Sequence, residues 1–313
     1  MARVAVEIPF VPPLDDVQYG VAEQVSPLIR RVIANNPTKY SYRGTGTYIV
    51  GEPGGDVVVI DPGPNLDEHR DALVAALAGQ HVRAILVTHC HADHSPLAAW
   101  LREETKAPTV AFGPHGAVDL DEDEDTDVKV EEAIDLAFAP DIHAADGDAV
   151  AEIGGAPMRA VFTPGHTSNH MCFSFDAERA LFTGDHVMGW STTVVSPPDG
   201  DMRAYMDSLA KVAGRHDATL WPTHGNPVTE PQPFLEAYLD HRVDREAQVL
   251  ARVRAGDAQI VDIVKVLYAN VREELHKAAG RSVFSHLVKL MDDGQVHVVG
   301  DGPATLKSAY AAG

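Results

Sequence analysis

The sequence predicts a mixed α/β (α+β) fold in which antiparallel or mixed sheets carry helices on their outer faces, followed by a small helical domain. Short apolar strand candidates recur between residues 47 and 221. Most connections between them are short, which favours antiparallel or mixed sheets. From about residue 231 the pattern becomes helical and the acidity ends: residues 1–230 hold 35 acidic and 15 basic side chains, whereas residues 231–313 hold 11 and 10. We therefore predict two domains, residues 1–230 and 231–313.

Strand and helix candidates alternate along the first third of the chain. They are a helix near residues 23–34, strands over 47–50 and 56–60 on either side of a glycine-rich turn, a helix over 66–77, a strand over 84–88 and a helix over 95–104. In the last helix we assign Ser95 as the N-cap and Pro96 as the first helical residue, which are typical positions for these residue types.

A strongly acidic segment follows. Residues 119–148 hold thirteen acidic side chains and one basic one, Lys129. Such a segment has too little apolar surface to bury, so we predict a solvated, mobile loop; a segment that binds cations or a partner is the alternative. Beyond it, the pattern predicts strands over 158–162, 171–175, 180–183 and 219–221, and a helix over 202–212.

The C-terminal region predicts one long helix and three shorter ones before a turn at Asp293-Gly294. The helices cover residues 234–255, 258–267, 270–279 and 281–292, and a strand candidate covers 296–299. Three short helices followed by a small hairpin resemble a winged-helix module.

Composition limits the classes of function. The chain has 313 residues and a formal net charge of −21, which repels polyanions such as RNA. The two cysteines, Cys90 and Cys172, provide no disulfide framework, and we expect both to be small buried apolar side chains. No uninterrupted apolar run is long enough to span a membrane, and residues 1–14 lack the pattern of a signal peptide. We therefore expect a cytoplasmic protein without a membrane partner.

The stretch Thr88-His89-Cys90-His91-Ala92-Asp93-His94 is the densest group of metal-binding residue types in the chain. It follows the apolar residues 84–87, so strand alternation places His89 and His91 on one face. Asp93 and His94 fall in the turn that leads to the next helix and can point elsewhere. This geometry suits two adjacent metal ions, and imidazole plus carboxylate without thiolate suits zinc and also fits iron or manganese.

Three further candidate ligands follow the ends of short apolar strands. They are His166 after residues 160–163, Asp185 after 180–184 and His224 after 218–221. If these strands lie side by side, their ends meet at one edge of the sheets. A single histidine after a strand is usually a polar loop residue, but the joint occurrence favours a common site.

These motifs together resemble the metallo-β-lactamase superfamily. The matching residues are 88–94, 165–167, 184–185 and 223–225. The resemblance implies a four-layer αββα sandwich with a dinuclear site at the sheet edges. It further implies that His89, His91 and His166 hold the first metal, that Asp93, His94 and His224 hold the second, and that Asp185 bridges both. Asp61 matches the superfamily's upstream aspartate, which supports the ligands from behind.

Particular residues indicate which branch of the superfamily the sequence resembles. His91 stands where the oxygen-reducing diiron branch carries a glutamate, which favours hydrolysis over redox chemistry. Asp185 fills the bridging position, whereas antibiotic-hydrolysing lactamases place a cysteine on the second metal. Other segments resemble the lactamase-β-like protein 2 branch: residues 35–37, 44–51, 165–170, 182–186, 190–193, 241–242 and 278–290.

The sequence thus predicts a dinuclear zinc hydrolase that acts on a small-molecule ester or thioester. A hydroxide bridging the two ions would be the nucleophile, and Asp93 would orient it and accept its proton. One alternative is an endoribonuclease for single-stranded RNA, which the resemblance implies but the net charge and the absence of a Lys/Arg cluster disfavour. A non-catalytic, metal-stabilised binding module is a further alternative, which a set of seven ligands argues against. A homo-oligomer stays open.

Overall fold

The computed structural model describes residues 6–116 and 133–313. Two sheets lie face to face and form the centre of the first domain. The first sheet has seven strands in the order β1 (Ala22–Ser26), β2 (Ile29–Ile33), β3 (Gly46–Val50), β4 (Asp56–Ile60), β5 (His81–Leu86), β6 (Thr109–Ala111) and β7 (Ile142–His143). The second has five strands in the order β12 (Thr219–Pro222), β11 (Ala180–Gly184), β10 (Met171–Phe175), β9 (Ala156–Phe162) and β8 (Ala149–Ile153).

Helices cover the outer faces of both sheets. They are α1 (Asp67–Leu77) and α2 (Ala98–Thr105) on the first sheet, and α3 (Met202–Ala213) and α4 (Pro231–Arg254) on the second. Tyr48, Phe173 and Phe182 belong to the buried cluster between the sheets, and separate clusters fill the two helix–sheet layers. The predicted four-layer αββα sandwich is therefore confirmed.

The C-terminal region packs around its own apolar core. It contains α5 (Ile260–Leu267), a 3₁₀ turn (Glu273–Leu275), α6 (His276–Asp292) and the antiparallel hairpin of β13 (Val296–Val298) and β14 (Tyr310–Ala312). Helix α4 joins the two regions: Phe234 and Tyr238 pack in the first domain's outer core, whereas Val249 and Val253 pack in the C-terminal core. The boundary near residue 230 stays a prediction.

Four local predictions were wrong. Residues 23–34 form the hairpin of β1 and β2 rather than a helix. Pro27 lies between the two strands and has no amide hydrogen for a helical hydrogen bond. Helix α2 begins at Ala98, and the Ser95 hydroxyl donates to Asp135 Oδ2 at 2.8 Å instead of capping it. A break near residue 280 does not occur, since buried Gly280 lies inside the continuous helix α6. The predicted helix over 270–279 is reduced to the 3₁₀ turn and the first residues of α6.

The acidic segment differs from its prediction only in part. Residues 119–132 lie outside the described residues. Most side chains of residues 133–148 are exposed, as predicted, but β7 in this segment pairs with β6 of the first sheet. Phe138 is buried, and Asp141 accepts hydrogen bonds from Arg102 Nε at 2.7 Å and from the Thr109 amide at 3.0 Å. Asp141 therefore anchors this part of the segment to α2 and β6.

Two smaller observations complete the fold. Cys90 and Cys172 are both buried as predicted, and burial raises the pKa of the thiols to about 11 and about 12. Among residues 6–116 and 133–313, no helix is both long and apolar enough to cross a bilayer.

Candidate metal centre

The predicted ligands lie together at one edge of the two sheets. Strands β4 and β5 run parallel, as do β11 and β12, so the ends of each pair meet at the same edge. His89, Asp185 and His224 follow the ends of three of these strands, and His166 follows β9. The fold therefore gathers side chains that are up to 135 residues apart in the sequence.

The first group, which we call the histidine triad, consists of His89, His91 and His166. His91 Nδ1 lies 3.0 Å from His89 Nε2 and 3.2 Å from His166 Nε2. Burial, reinforced by the neighbouring histidines, lowers the pKa of His89 well below its usual value and that of His91 to about 3. The rings of His89 and His91 are therefore neutral at pH 7, with ring nitrogens turned towards one point.

The second group, the mixed triad, consists of Asp93, His94 and His224. Asp93 Oδ1 lies 3.4 Å from His94 Nε2, and Asp93 Oδ2 lies 3.3 Å from His224 Nε2. Burial opposes ionisation of all three groups, but their mutual attraction outweighs it. The pKa of His94 is raised to about 9 and that of His224 well above its usual value, whereas the pKa of Asp93 is lowered.

Asp185 lies between the two triads. Its Oδ1 atom is 3.6 Å from His94 Nε2 and 3.4 Å from His224 Nε2, and its Oδ2 atom is 3.9 Å from His166 Nε2. Burial would raise the pKa of this carboxyl, but His224 and His94 hold it well below its usual range. One ionised carboxylate therefore contacts both groups.

Four of the five histidines are fixed through Nδ1, which leaves Nε2 directed into the site. His89 Nδ1 donates to Thr88 Oγ1 at 3.0 Å and His94 Nδ1 to Asp61 Oδ2 at 2.9 Å. The other two donate to main-chain oxygens, His166 to Val194 at 2.7 Å and His224 to Gly44 at 3.2 Å. Such partners set the tautomer and the ring orientation that a metal ligand needs.

Asp61 connects the strands from behind the site. Its Oδ1 atom accepts the Thr88 amide at 2.8 Å, and its Oδ2 atom accepts the hydroxyls of Thr88 at 2.8 Å and Thr223 at 3.2 Å as well as His94 Nδ1. The side chain is 1% exposed. Asp61 therefore links the segments after β5 and β12 to one ligand ring.

The arrangement fits divalent cations. His94 Nε2 and Asp185 Oδ1 are buried and have no hydrogen-bond partner among residues 6–116 and 133–313, which is costly unless something else satisfies them. Two ligands about 2.1 Å from one tetrahedral ion lie about 3.4 Å apart, close to the observed separations. Three overlapping sets of side chains have their ligand atoms within 4.8 Å of one another, close enough to hold an ion. They are His89, His91 and His166; His89, His94 and Asp185; and Asp93, His94 and His224. Imidazole and carboxylate donors suit zinc, iron and manganese.

Residues 43–224, more than half of the chain, match the family described as the metallo-beta-lactamase superfamily. The chain belongs to the metallo-beta-lactamase superfamily. Residues 260–304 match the family described as the beta-lactamase associated winged helix domain, which confirms the predicted C-terminal module. Superfamily members bind divalent metal ions, and the chain is a metal-dependent hydrolase of this superfamily.

Proteins named as beta-lactamase-like protein 2 homologs and proteins named as thioesterases are both similar to this chain over most of its length. A beta-lactamase-like protein 2 homolog from Drosophila melanogaster is 31% identical over 281 residues, which cover 86% of this chain and 89% of the relative. An atrochrysone carboxyl ACP thioesterase from Aspergillus chevalieri is 31% identical over 299 residues, which cover 91% and 86%. The crystal structure of a beta-lactamase domain protein from Burkholderia ambifaria is 20% identical, with a TM-score of 0.74 over 96% of both chains, and shows the shared fold.

The structure also reveals contacts to the ligands that sequence reasoning missed. Thr45 Oγ1 donates to Asp93 Oδ2 at 2.7 Å, and Asn36 fixes Thr45 through hydrogen bonds of 2.9 Å to its hydroxyl and its amide. The position of Thr45 just before β3 was the available signal. The carbonyl groups of Gly44 and Val194 gave none, because every residue has a carbonyl.

His170 and His186 lie beside the triads and are fully buried. His170 Nδ1 contacts Thr163 Oγ1 at 2.9 Å, and its Nε2 atom accepts the Asp185 amide at 3.2 Å. Burial lowers the pKa of His170 well below its usual value and that of His186 to about 3, so both rings are neutral. His170 therefore positions the backbone of Asp185.

Helix α4 holds the loop that fixes His166. Arg242 Nη2 donates to the Thr193 carbonyl at 2.5 Å, and the Thr193 amide donates to Tyr238 Oη at 2.5 Å. Thr193 Oγ1 in turn donates to the Asp185 carbonyl at 2.8 Å. Helix α4 therefore positions, through Thr193, both the segment that orients His166 and the backbone of Asp185.

Proposed function

We propose that this protein hydrolyses thioesters or esters of small molecules with two divalent metal ions, of which zinc is our first choice and iron or manganese the alternatives. The observation that carries the proposal is the position of Asp185, one carboxylate within 3.9 Å of ring nitrogens from both triads. The thioesterase name of a relative with 31% identity supports the choice of reaction.

The predicted ligands and Asp61 each have a role in the proposed site. His89, His91 and His166 would hold one ion, Asp93, His94 and His224 the other, and Asp185 both, while Asp61 fixes His94 and the strand ends. Bound ions of this kind supply Lewis acidity and make water nucleophilic near neutral pH.

Asp93 is the group that we expect to orient the attacking water and to accept its proton. Its Oδ2 atom is held by the Thr45 hydroxyl, and its side chain is 26% exposed, so the carboxylate is both fixed and open to the site. As Asp93 accepts a proton, the water oxygen bonds to the carbonyl carbon. The bond from that carbon to sulfur or oxygen then breaks, and the proton passes to the leaving thiolate or alkoxide, which gives a carboxylic acid and a thiol or alcohol. A cytoplasmic location remains our expectation.

The test is a substrate panel on metal-loaded protein, with metal content measured in parallel. We expect turnover of acyl thioesters or p-nitrophenyl esters, its loss in Asp93→Asn, and unchanged turnover in the exposed control Asp207→Asn. Unstructured RNA should stay intact. Cleavage of RNA that is lost in His91→Ala would instead support an endoribonuclease, and no turnover on any substrate with both metals bound would favour a binding module.

A further inference from the structure

A cavity of about 320 Å³ lies between the turn that carries His166 and helix α6 of the C-terminal region. Cavities of this size between two domains are common small-molecule sites. Gly165 and Ser168, which flank His166 and Thr167 in the chain, line one wall, so the cavity lies behind the turn that carries one of the predicted ligands. The opposite wall is formed by Ser285, Val288 and Lys289 of α6.

Ser285 provides a polar group without a partner. Its side chain is 1% exposed, and its Oγ atom forms no hydrogen bond within the described part of the chain. A buried hydroxyl in this state is unfavourable unless a bound molecule or water satisfies it. Because Ser285 lines the cavity, we take its hydroxyl as a contact for a ligand.

The charge of the cavity excludes anions. Asp199, Asp201 and Asp292 line it, and the only lining cation among the described residues, Lys289, already pairs with Glu246 at 2.8 Å and with Asp293 at 3.1 Å. The lining is therefore rich in acceptors and poor in free positive charge. A phosphate or carboxylate would be repelled, whereas amide and hydroxyl groups would find acceptors.

One oxygen of each of two carboxylates is already used within the protein. Asp199 Oδ2 accepts the Ser168 amide at 2.9 Å, and Asp201 Oδ1 accepts the Ala204 amide at 2.9 Å and caps helix α3. These bonds fix both carboxylates and leave the second oxygen of each for a donor from a ligand. The remaining wall is apolar, and includes Pro164, Pro197 and Met202.

We propose that this cavity binds the uncharged, amide-bearing thiol arm of a thioester substrate, a pantetheine-like chain, with the acyl group towards the metal centre. The inference rests on the proposed thioester hydrolysis. Alkyl segments of such an arm match the proline, methionine and valine wall, and its amide N–H and hydroxyl groups match the carboxylates and Ser285. A plain alkyl chain would leave these polar groups unsatisfied.

The test compares one acyl group on three thiols with metal-loaded full-length protein. We expect kcat/KM for the pantetheine thioester to exceed that for the truncated N-acetylcysteamine thioester by about tenfold, mainly through KM. The coenzyme A thioester, which adds phosphates, should be no better than the pantetheine thioester. Equal kcat/KM for the pantetheine and N-acetylcysteamine thioesters would overturn the inference.

Two variants separate the cavity from the metal centre. Val288→Trp fills the cavity and should remove the preference for pantetheine, while N-acetylcysteamine turnover stays within about twofold. Ser285→Ala should weaken the preference. Val261→Trp is the matched control, since Val261 is 56% exposed on α5, and it should change neither substrate. An equal effect of Val288→Trp on both thioesters would contradict the inference.

Binding of the pantetheine arm can be measured even if the protein hydrolyses no thioester. That result would refute the proposed function, not the cavity. S-methyl pantetheine, which cannot react, should then bind wild type and Val261→Trp in calorimetry but not Val288→Trp. Absence of binding to wild type at millimolar concentration would overturn the inference on its own.

Discussion

The histidine triad and the mixed triad share Asp185 but balance their charges differently. In the histidine triad, burial keeps His89 and His91 neutral, and their ring nitrogens face each other at 3.0 Å. In the mixed triad, the carboxylates of Asp93, Asp185 and Asp61 raise the pKa of His94 to about 9. Without a cation, opposite charges attract one another within the mixed triad, whereas the ring nitrogens of the histidine triad contact only one another.

The difference in charge predicts how each triad should bind an ion. A cation entering the histidine triad meets the rings of His89 and His91, which burial keeps neutral. A cation entering the mixed triad must displace protons from His94 and His224, whose pKa values are both raised. The two proposed positions should therefore differ in the pH dependence of their affinity, although they lie side by side.

Removing the shared carboxylate should have the largest effect, because it acts on both triads. We expect Asp185→Asn to lower kcat for thioester hydrolysis by about 10³-fold or more, with loss of bound metal. Steady-state kinetics and elemental analysis measure both quantities. Asp207→Asn is again the control, and an Asp185→Asn protein with full activity would show that the carboxylate does not link the triads.

Single-ligand variants distinguish the two triads. His91→Ala should retain an ion in the mixed triad, and His224→Ala should retain one in the histidine triad, each with more than about 100-fold lower activity. Elemental analysis of dialysed protein should give about one ion per chain for each variant. Loss of both ions from either variant would mean that the triads do not bind independently.

Asp61→Asn tests the support behind the mixed triad alone. It weakens the acceptor for His94 Nδ1, so we expect metal affinity of the mixed triad to fall by about 10- to 100-fold while the histidine triad is unchanged. Competition with a chelator measures both affinities. An equal loss at both positions would indicate that Asp61 acts through the fold as a whole.

The pH dependence gives a smaller and graded effect. Since the pKa of His94 is about 9 in the metal-free protein, the affinity of the mixed triad should rise by at least about tenfold per unit between pH 6 and pH 8. The affinity of the histidine triad should rise less steeply, because the pKa values of His89 and His91 are lowered and these two rings have no proton to lose in this range. Chelator competition across this range measures both affinities, and His91→Ala and His224→Ala serve as references that each hold one ion. Equal dependence of the two affinities on pH would contradict the proposed difference between the triads.

Thr45→Val should have the smallest effect. It removes the hydroxyl that donates to Asp93 Oδ2 at 2.7 Å and keeps the side-chain shape, so we expect a loss of about tenfold in kcat with both ions retained. Thr45→Ser should restore the activity. A loss of metal in Thr45→Val would show that the hydroxyl stabilises the ligand set rather than orienting Asp93.

Local patterns predicted mixed sheets with outer helices, and the resemblance to the metallo-β-lactamase superfamily implied the αββα layers. The seven predicted ligands could be found because strand ends followed by histidine or aspartate are local signals, and the structure brings them to one edge. The local patterns missed β1 and β2, where Pro27 and the adjacent turn obscured two short strands. They also missed the main-chain carbonyls of Gly44 and Val194 that orient His224 and His166, since only the folded chain brings them to the rings.

Anomalous X-ray scattering at the metal absorption edge, on crystals of the metal-loaded protein, tests the central claim most directly. We expect two peaks on either side of Asp185, one enclosed by the nitrogens of His89, His91 and His166 and the other by Asp93, His94 and His224. A single peak at saturating metal, or peaks away from these side chains, would contradict the dinuclear site and the hydrolytic mechanism proposed from it.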